Sequence, residues 1–227
     1  MVGGFGGSFR HRGMYSLRVA EVVCETADVS SFIFHVPDDL SEKYAYRAGQ
    51  FLTFRVEFDG VAHLRSYSMS SSPLVDERMR VTVKRVAGGV VSNWMNDVLA
   101  PGDELVATVP SGTFVVDGDA GEMVAFAGGS GITPVLSIIK TVLAGSTRRA
   151  RLLYANRDRD SVIFGTELAD LKERYGDTGS RWRSTTTAIP AISSRRPSAL
   201  SWGRTVTPGS SRAGPNRSWP ASWKAPR

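Results

Sequence analysis

The sequence predicts an all-β antiparallel Greek-key barrel, followed by a partial α/β domain with a parallel sheet and then by a disordered tail. Short strands separated by Gly and Pro turns fill residues 15–118, as is typical of a small barrel. Strand and helix patterns alternate over residues 119–177, which indicates a parallel sheet. The remaining segment, 178–227, contains no Asp or Glu. Residues 1–14 are rich in Gly, and we expect them to form a disordered lead.

The barrel is predicted from short runs of β-branched and aromatic residues. The clearest run is 50–58, where Leu52, Phe54, Val56 and Phe58 are predicted to face one way and the residues between them the other. Further strands are predicted at 15–26, 30–36, 63–70, 79–86 and 104–109, and one helix at 90–99. Gly-Gly and Pro-Gly-Asp turns separate the later elements.

The second half changes to a strand–helix pattern. Continuous apolar strands are predicted at 122–127 and 150–155, and helices at 135–143 and 166–175. No strand pattern is found after Asp177. We therefore expect an incomplete sheet, in which the strand at 150–155 lies at an unpaired apolar edge that favours aggregation.

The basic charge of the chain comes from its tail. Of the 28 Lys and Arg residues, nine follow residue 177, whereas all 22 Asp and Glu residues precede it. The formal net charge of +6 therefore averages a slightly acidic body and a strongly basic tail. We interpret this charge as no sign of a nucleic-acid partner, and we expect none. The Ser-, Arg- and Pro-rich composition is typical of a disordered extension, but four of the five Trp residues argue against that interpretation.

Cysteine and histidine usage excludes several kinds of site. The one cysteine, Cys24, cannot form an internal disulfide or a Cys-ligated zinc or iron–sulfur site, and we expect it to be a small core residue. The three histidines show no metal or catalytic-triad pattern, so we expect no metal ion. There is no apolar run long enough to span a membrane and no secretory signal pattern. A cytoplasmic location without a membrane partner is the default expectation.

The first motif that carries chemistry is Arg65-Ser66-Tyr67-Ser68 on a predicted strand. Residues two apart on a strand share a face, so Arg65 and Tyr67 project together. A guanidinium suits a diphosphate, and a tyrosine ring can stack on a flat heterocycle beside the Ser68 hydroxyl and N–H. The alternative is an ordinary barrel strand with alternating polar residues.

The second motif, Gly88-Gly89-Val90-Val91-Ser92, opens a predicted helix. The N–H groups and dipole of a helix N-terminus favour an anion, and the Ser92 hydroxyl can add a hydrogen bond. The alternative is a loop followed by a helix cap.

The third motif joins a predicted strand to a predicted helix. It comprises Gly128, Gly129, Ser130, Gly131, Ile132, Thr133 and Pro134. Glycines let the backbone approach a pyrophosphate, whose charge the helix N-terminus stabilises. The motif is neither the full G-x-G-x-x-G fingerprint nor the hydrolase G-x-S-x-G pattern, because Pro134 and Ile132 occupy the places of the last glycines. Here the binding function is favoured over a structural turn.

In this order and spacing, the three motifs resemble those of the ferredoxin–NADP reductase superfamily. Two segments resemble the oxygenase-reductase branch of this superfamily: VKRVAGGVVSNW and LLYANRDRDSVIFGTEL. The resemblance covers about residues 15–177. It implies an FAD-binding barrel at 15–118 and an incomplete NAD(P)-binding domain at 119–177. The implied activity is that of an FAD-dependent NAD(P)H oxidoreductase, which passes electrons towards an iron–sulfur centre and an oxygenase of the steroid-ring hydroxylase type.

The resemblance also implies a role for each motif. Arg65 would hold the FAD pyrophosphate, Tyr67 would stack on the flavin ring and Ser68 would lie near its N5 atom. The adenylate-side phosphates of FAD would be held by Gly88, Gly89 and Ser92. The motif from Gly128 to Pro134 would hold NADH or NADPH, with Thr133 near the reacting ring. Asn156 and Arg157 would lie near the adenosine ribose, although Arg157 could instead pair with Asp158 or Asp160. Tyr67, Ser68 and Thr133 are thus the expected catalytic residues.

Two features of that family are not found in this sequence. One is the Cys-Gly-Pro motif of the second domain, and the other is the four-cysteine module that binds a [2Fe–2S] cluster. We interpret the tail as the product of a reading-frame shift between residues 177 and 180. When codons that can encode TTTAIPAI at 185–192 are read from one base earlier, they can encode Asp-Asp-Asp-Gly-Tyr-Pro-Gly-Tyr. The same shift allows the codons for 213–224 to encode a Cys-Gly-Pro segment. The competing hypotheses are a flavin-binding module that uses the tail as an interaction arm, and an inactive gene product.

Overall fold

A computed structural model describes residues 13–118, 121–176 and 182–188 of the chain. The described strands are β1 (Met14–Thr26), β2 (Val29–His35), β3 (Phe51–Phe58), β4 (Val61–Ser68), β5 (Met79–Lys84), β6 (Glu104–Thr108), β7 (Met123–Gly128), β8 (Ala150–Asn156) and β9 (Trp182–Ala188). The described helices are α1 (Val90–Val98), α2 (Ile132–Gly145) and α3 (Gly165–Tyr175), and short 3-10 turns occur at Asp38–Leu40 and Gly129–Gly131.

The first six strands form one antiparallel sheet in the order β4-β3-β6-β1-β2-β5. The edge strands β4 and β5 approach each other just after Ser68, where Met69 and Val81 form an isolated bridge. The predicted alternation of β3 is confirmed, because Leu52, Phe54 and Val56 are all buried in the barrel core. The open seam between β4 and β5 therefore lies beside the first motif.

The last three strands form a parallel sheet in the order β7-β8-β9. Helix α2 connects β7 to β8, and α3 connects β8 to β9, as parallel strands require. The apolar side of α2 packs into the core of this domain, where Ile132, Leu136 and Ile139 are fully buried. The predicted fold class, an antiparallel sheet domain followed by a small parallel sheet with helices, is confirmed.

The prediction that no strand follows Asp177 is wrong, and so is the prediction that β8 lies at an unpaired edge. Strand β9 pairs along the whole of β8, from Ala150 opposite Trp182 to Asn156 opposite Ala188. The β-branched threonines at 185–187 suit an edge strand. The basic composition of the tail concealed this short run. The segments predicted to be disordered are 1–14 and 178–227. Met14 belongs instead to β1 and Trp182–Ala188 to β9, whereas residues 1–12, 178–181 and 189–227 lie outside the described residues.

Two smaller predictions also need correction. Helix α2 begins at Ile132, three residues before its predicted start, because Pro134 lies in the first turn, where a missing N–H is tolerated. Cys24 is exposed and is not a core residue. It lies near the end of the long strand β1, where most residues are outside the core, and its Sγ donates to the Thr26 carbonyl at 3.3 Å.

Candidate functional site

The first motif occupies the end of edge strand β4. Arg65 lies opposite Phe54 and Tyr67 lies opposite Leu52 on β3, so the predicted common face of Arg65 and Tyr67 is confirmed by the register. The Tyr67 ring is half-buried, with its centroid 6.2 Å from that of Phe54. The Arg65 side chain is exposed, and its Nη1 donates to the Leu64 carbonyl at 2.8 Å. A guanidinium and an aromatic ring therefore lie on one face beside the seam.

Tyr67 is held in its neutral form. Burial raises the pKa of its hydroxyl to about 12, although the nearby Arg65 charge opposes that rise. A neutral aromatic ring that packs beside Phe54 at an interplanar angle of 43° is suited to stacking against a heterocycle. Ser68, the last residue of β4, is half-buried next to the bridge between the two edge strands.

The second motif forms a tight turn between β5 and α1. Gly88 has a left-handed φ of 72°. A Cβ atom on Gly89 would lie only 2.7 Å from the Ser92 Oγ, so that position admits little more than glycine. The Ser92 side chain is buried, and its Oγ accepts a hydrogen bond from the Val86 N–H at 3.2 Å. The Ser92 hydroxyl therefore stabilises the turn through this hydrogen bond and lies next to Gly89.

Asn93 also shapes this turn, and the sequence analysis did not identify it. Its Nδ2 donates to the Gly89 carbonyl at 2.6 Å and to the Val86 carbonyl at 3.1 Å. An Asn in the first turn of a helix often bonds to preceding backbone, so its position after Ser92 was the available signal.

The third motif joins β7 to α2 through the short turn Gly129–Gly131. Gly128 is the last residue of β7, and Gly129 has a left-handed φ of 48°. The hydroxyl of Tyr154 on β8 donates to the Gly129 carbonyl at 3.0 Å. This bond fixes the turn to the centre of the parallel sheet.

Ile132, Thr133 and Pro134 serve the turn from inside the helix. The Ile132 side chain is fully buried in the domain core, and its N–H bonds to carbonyls of the turn. The buried Thr133 hydroxyl donates to the Ser130 carbonyl at 3.0 Å. The contribution of Ile132 to a ligand site is therefore restricted to the backbone, whereas the Thr133 oxygen keeps an accepting lone pair.

The barrel reaches this turn through a lysine that the sequence analysis did not identify. The Nζ of Lys84, at the end of β5, lies 4.0 Å from the position of a Cβ atom on Gly129. The same ammonium is 3.5 Å from an Asp28 oxygen. The sequence pattern of β5 indicates on which side of the strand Lys84 lies, but not which residues of the second domain it approaches. Its proximity to the glycine turn depends on how the two domains pack.

Asn156 and Arg157 lie at the carboxyl end of β8 and just beyond it. Asn156 is buried, and neither of its amide atoms has a hydrogen-bond partner of normal geometry within the described ranges. Arg157 is exposed and its Nε contacts the Asp158 carboxylate at 3.1 Å, which realises one of the two pairings considered for it. Hydrogen bonds from Ser161, and then the one from Arg157, lower the pKa of Asp158.

Two family models match this chain in sequence. The oxidoreductase FAD-binding domain matches residues 16–116, and the oxidoreductase NAD-binding domain matches residues 123–205. The chain therefore consists of an FAD-binding and an NAD-binding oxidoreductase domain of the ferredoxin–NADP reductase type. The resemblance found in the three motifs is thereby confirmed, as are FAD and a nicotinamide dinucleotide as the cofactors of its domains.

Similar proteins of this superfamily extend beyond the present chain. The ferredoxin reductase component of 3-ketosteroid-9-alpha-monooxygenase from Rhodococcus rhodochrous is 47% identical over 160 residues, which are 70% of this chain and 46% of that protein. The component of the same name from Mycolicibacterium smegmatis is 44% identical over 180 residues, 77% of this chain and 51% of that protein. The chain therefore spans about half the length of these curated relatives.

A solved structure supports the two-domain arrangement. The flavohem-like FAD/NAD-binding domain of nitric oxide dioxygenase from Vibrio cholerae superposes with a TM-score of 0.66 at 26% identity, covering 75% of this chain and 72% of that one. In the described part of our chain, no three His, Cys, Asp or Glu side chains are grouped to hold a metal ion. No helix in the described ranges has the length and apolarity to cross a membrane.

The residues present fit both cofactors of the superfamily. The Arg65 guanidinium and the neutral Tyr67 ring share one face, as a flavin diphosphate and a flavin ring require. The left-handed Gly129 and the open space next to Gly131 leave room for a close approach of a dinucleotide backbone. The buried amide of Asn156 lies beside the Tyr154 hydroxyl without a hydrogen bond of normal geometry, so it has donor and acceptor capacity for a polar ligand at the strand end.

Proposed function

We propose that this chain is an FAD-dependent NAD(P)H reductase that delivers electrons towards an iron–sulfur centre and an oxygenase. The observation that carries the proposal is the proximity of Lys84 of the barrel to the Gly129 turn, which neighbours β5. It sets the dinucleotide turn against β5, the strand that borders the seam next to the flavin motif of β4. Electron transfer between two bound cofactors requires such an arrangement, whereas two separate binding modules would not.

On the flavin side, the proposed roles follow the geometry of the seam. Bound FAD supplies the chemistry, since it accepts a hydride from a nicotinamide and releases single electrons. Arg65 binds its diphosphate, and the Tyr67 ring supports its heterocycle. Ser68 offers a hydroxyl at the end of β4 for a hydrogen bond to the flavin edge, and the turn at Gly88 and Gly89, held by Ser92, receives the adenylate-side phosphate.

On the dinucleotide side, the turn from Gly128 to Gly131 approaches the pyrophosphate and the start of α2 stabilises its charge. Lys84 adds a positive charge from the barrel. Thr133 holds the turn and orients the nicotinamide with its remaining lone pair. Asn156 bonds the adenosine ribose. Arg157 is exposed and only its Nε contacts Asp158, so its two Nη groups are accessible to the adenosine ribose of NADH or to the 2′-phosphate of NADPH.

The proposed partner is the oxygenase component of a multicomponent hydroxylase of the steroid-ring type. This proposal follows the two relatives, which are named as reductase components of a 3-ketosteroid monooxygenase. The single cysteine of the sequence provides no ligand set for a [2Fe–2S] cluster, so the iron–sulfur acceptor is proposed to be held by other polypeptide. The exposed free thiol of Cys24 supports a reducing, cytoplasmic location.

The test combines flavin binding with anaerobic reduction. Purified chain is incubated with excess FAD, desalted and examined for the flavin absorption bands, and NADH is then added without oxygen. Retained yellow colour that bleaches with NADH supports the proposal. A chain that remains colourless after incubation with FAD overturns it.

A second candidate is a flavin-binding module that transfers hydride very slowly. Within the described residues the parallel sheet has three strands, and one of its faces exposes Val124, Phe126 and Leu153. Parallel sheets normally bury both faces, so the nucleotide domain is incomplete as described. Yellow protein that NADH does not bleach would favour this candidate.

A further inference from the structure

Four charged side chains from both domains meet in a cluster that contains no residue of the three motifs. We call this the interdomain ion cluster: Asp76, Arg80, Lys140 and Glu167. Lys140 of α2 is only 6% exposed, and its Nζ lies 2.6 Å from an Asp76 oxygen in the loop before β5 and in direct contact with Glu167 of α3. Arg80 of β5 closes the cluster, with its Nη2 2.8 Å from the other Glu167 oxygen.

Arg80 is fixed from three further sides. Its Nε donates to the Ser70 hydroxyl at 3.1 Å and its Nη2 to the Ser70 carbonyl at 3.2 Å. Its guanidinium lies over the ring of Phe164, 5.1 Å from the centroid. Phe164 is buried, has a left-handed φ of 62° and immediately precedes α3. The barrel thereby holds the start of α3 through one side chain.

The barrel-facing side of α2 is polar around the cluster. Ser137 donates to the Ser71 carbonyl at 2.5 Å, and the Thr141 and Ser72 hydroxyls are 2.8 Å apart. Ser137, Lys140 and Thr141 are spaced three and four residues apart and thus share one face of the helix. Apolar residues of the same size would be enough to pack α2 against the barrel, because buried ion pairs contribute little to stability compared with apolar packing. Directional bonds on this face fix a single orientation instead.

We propose that the interdomain ion cluster is a positioning device that sets the distance and angle between the flavin domain and the dinucleotide turn. Helix α2 begins at Ile132, directly after that turn, so a rigid bond at Lys140 fixes the turn two helical turns away. The cluster touches neither cofactor site and acts through α2 and α3. Its consequence for hydride transfer rests on the proposed function, but its effect on domain geometry does not.

The geometric test uses the single exposed cysteine of the barrel. Cys24 carries one spin label and an exposed α3 residue, through Glu173→Cys, carries the second. Pulsed dipolar spectroscopy then reports the distribution of distances between the domains. We expect Lys140→Met to broaden that distribution at least twofold and Lys140→Arg, which keeps the charge, to restore most of its width. The matched control is Glu122→Gln, which breaks the exposed Arg151–Glu122 pair inside the nucleotide domain and should leave the distribution unchanged.

Melting temperatures and reduction rates of the variants distinguish a positioning role of the interdomain ion cluster from a role in stability alone. Glu167→Gln is the second variant, should Lys140→Met fail to fold. If folded variants keep the parental width and differ only in melting temperature, the proposal is wrong. In a chain that binds FAD, Lys140→Met should slow flavin reduction by NADH about tenfold without changing the Kd of NAD⁺, because misplacement of a bound reactant affects the transfer step. A chain that binds no FAD would contradict the proposed function and leave the distance measurement as the test of the cluster.

Discussion

The ammonium of Lys84 and the backbone of Gly129 meet across the domain boundary, with Nζ 4.0 Å from the position of a Cβ atom on the glycine. A cation held by the flavin domain thus faces the turn of the dinucleotide domain. A bound pyrophosphate would receive charge from both domains, so dinucleotide binding and domain closure are expected to be coupled.

Lys84→Met should weaken the binding of NADH about 10-fold and leave FAD binding unchanged. A charge-assisted contact to a phosphate is worth about 1.5–3 kcal/mol, and the partial exposure of Lys84 places the expectation at the lower end. Isothermal titration at two salt concentrations measures it, because the variant should also lose part of the salt dependence. Asp28→Asn is the control, since it removes the partner carboxylate of Lys84 and should not weaken NADH binding. Equal affinities of parent and Lys84→Met would contradict the assigned role.

Gly89→Ala should disrupt the flavin-side turn by collision. The new methyl group would lie 2.7 Å from the Ser92 Oγ and 3.1 Å from both the Cβ and the carbonyl oxygen of Val86. Overpacking of this kind costs about 1–3 kcal/mol, and we expect a comparable loss of FAD affinity. Fluorescence titration with FAD measures the loss. The double variant Gly89→Ala/Ser92→Ala removes the closest contact and should regain part of the stability. Unchanged melting temperature in the single variant would show that the turn relaxes freely.

Asn156→Leu should separate ligand binding from stability. The buried amide of Asn156 has no hydrogen-bond partner of normal geometry within the described ranges, so an apolar side chain of similar size should leave the melting temperature nearly unchanged. The same variant should bind NADH at least fivefold more weakly, because the ligand loses a polar partner at the strand end. Differential scanning calorimetry and NADH titration give the two values. A large drop in melting temperature with unchanged affinity would assign Asn156 to the fold.

Local patterns predicted most elements and the residues of the three motifs. The alternation around Phe54 and the glycines at 128–131 are short-range signals, and the structure places both as expected. The missed features depend on contacts between distant segments. Lys84 gains its proposed role only when β5 meets the turn after β7, and β9 is recognised only through its pairing with β8. Cys24 was misassigned because its residue type favours burial, whereas its position on β1 lies beyond the core.

Stability should fall as the pH rises from about 10 to about 12, and Tyr67 should carry part of that fall. An unfolded tyrosine loses its proton near pH 10, but burial raises the pKa of Tyr67 to about 12 in the fold. Between these values the folded chain binds more protons than the unfolded chain, so the free energy of unfolding decreases with pH. Tyr67→Phe should reduce the slope, and Tyr46→Phe should do so similarly because the pKa of Tyr46 is also raised to about 12. Urea melts at several alkaline pH values measure this, and an identical slope in Tyr67→Phe and the parent would contradict the burial of the phenol.

Resequencing of the gene should reveal a lost or gained base near codon 178. The absence of Asp and Glu over 178–227 and the four Trp residues there are typical of GC-rich DNA read out of frame. Codons for AGPNRSWPASWK at 213–224, read one base earlier, permit Cys-Gly-Pro-Glu-Pro-Phe-Met followed by apolar residues, and Trp219 supplies the T-G that the Met codon requires. The shifted frame also permits an apolar strand at 180–183, at the start of β9. We therefore expect an open frame after correction, and a corrected chain that oxidises NADH at least tenfold faster than this one. Stop codons soon after codon 178 in the shifted frame would exclude the hypothesis and make the basic tail a genuine part of the protein.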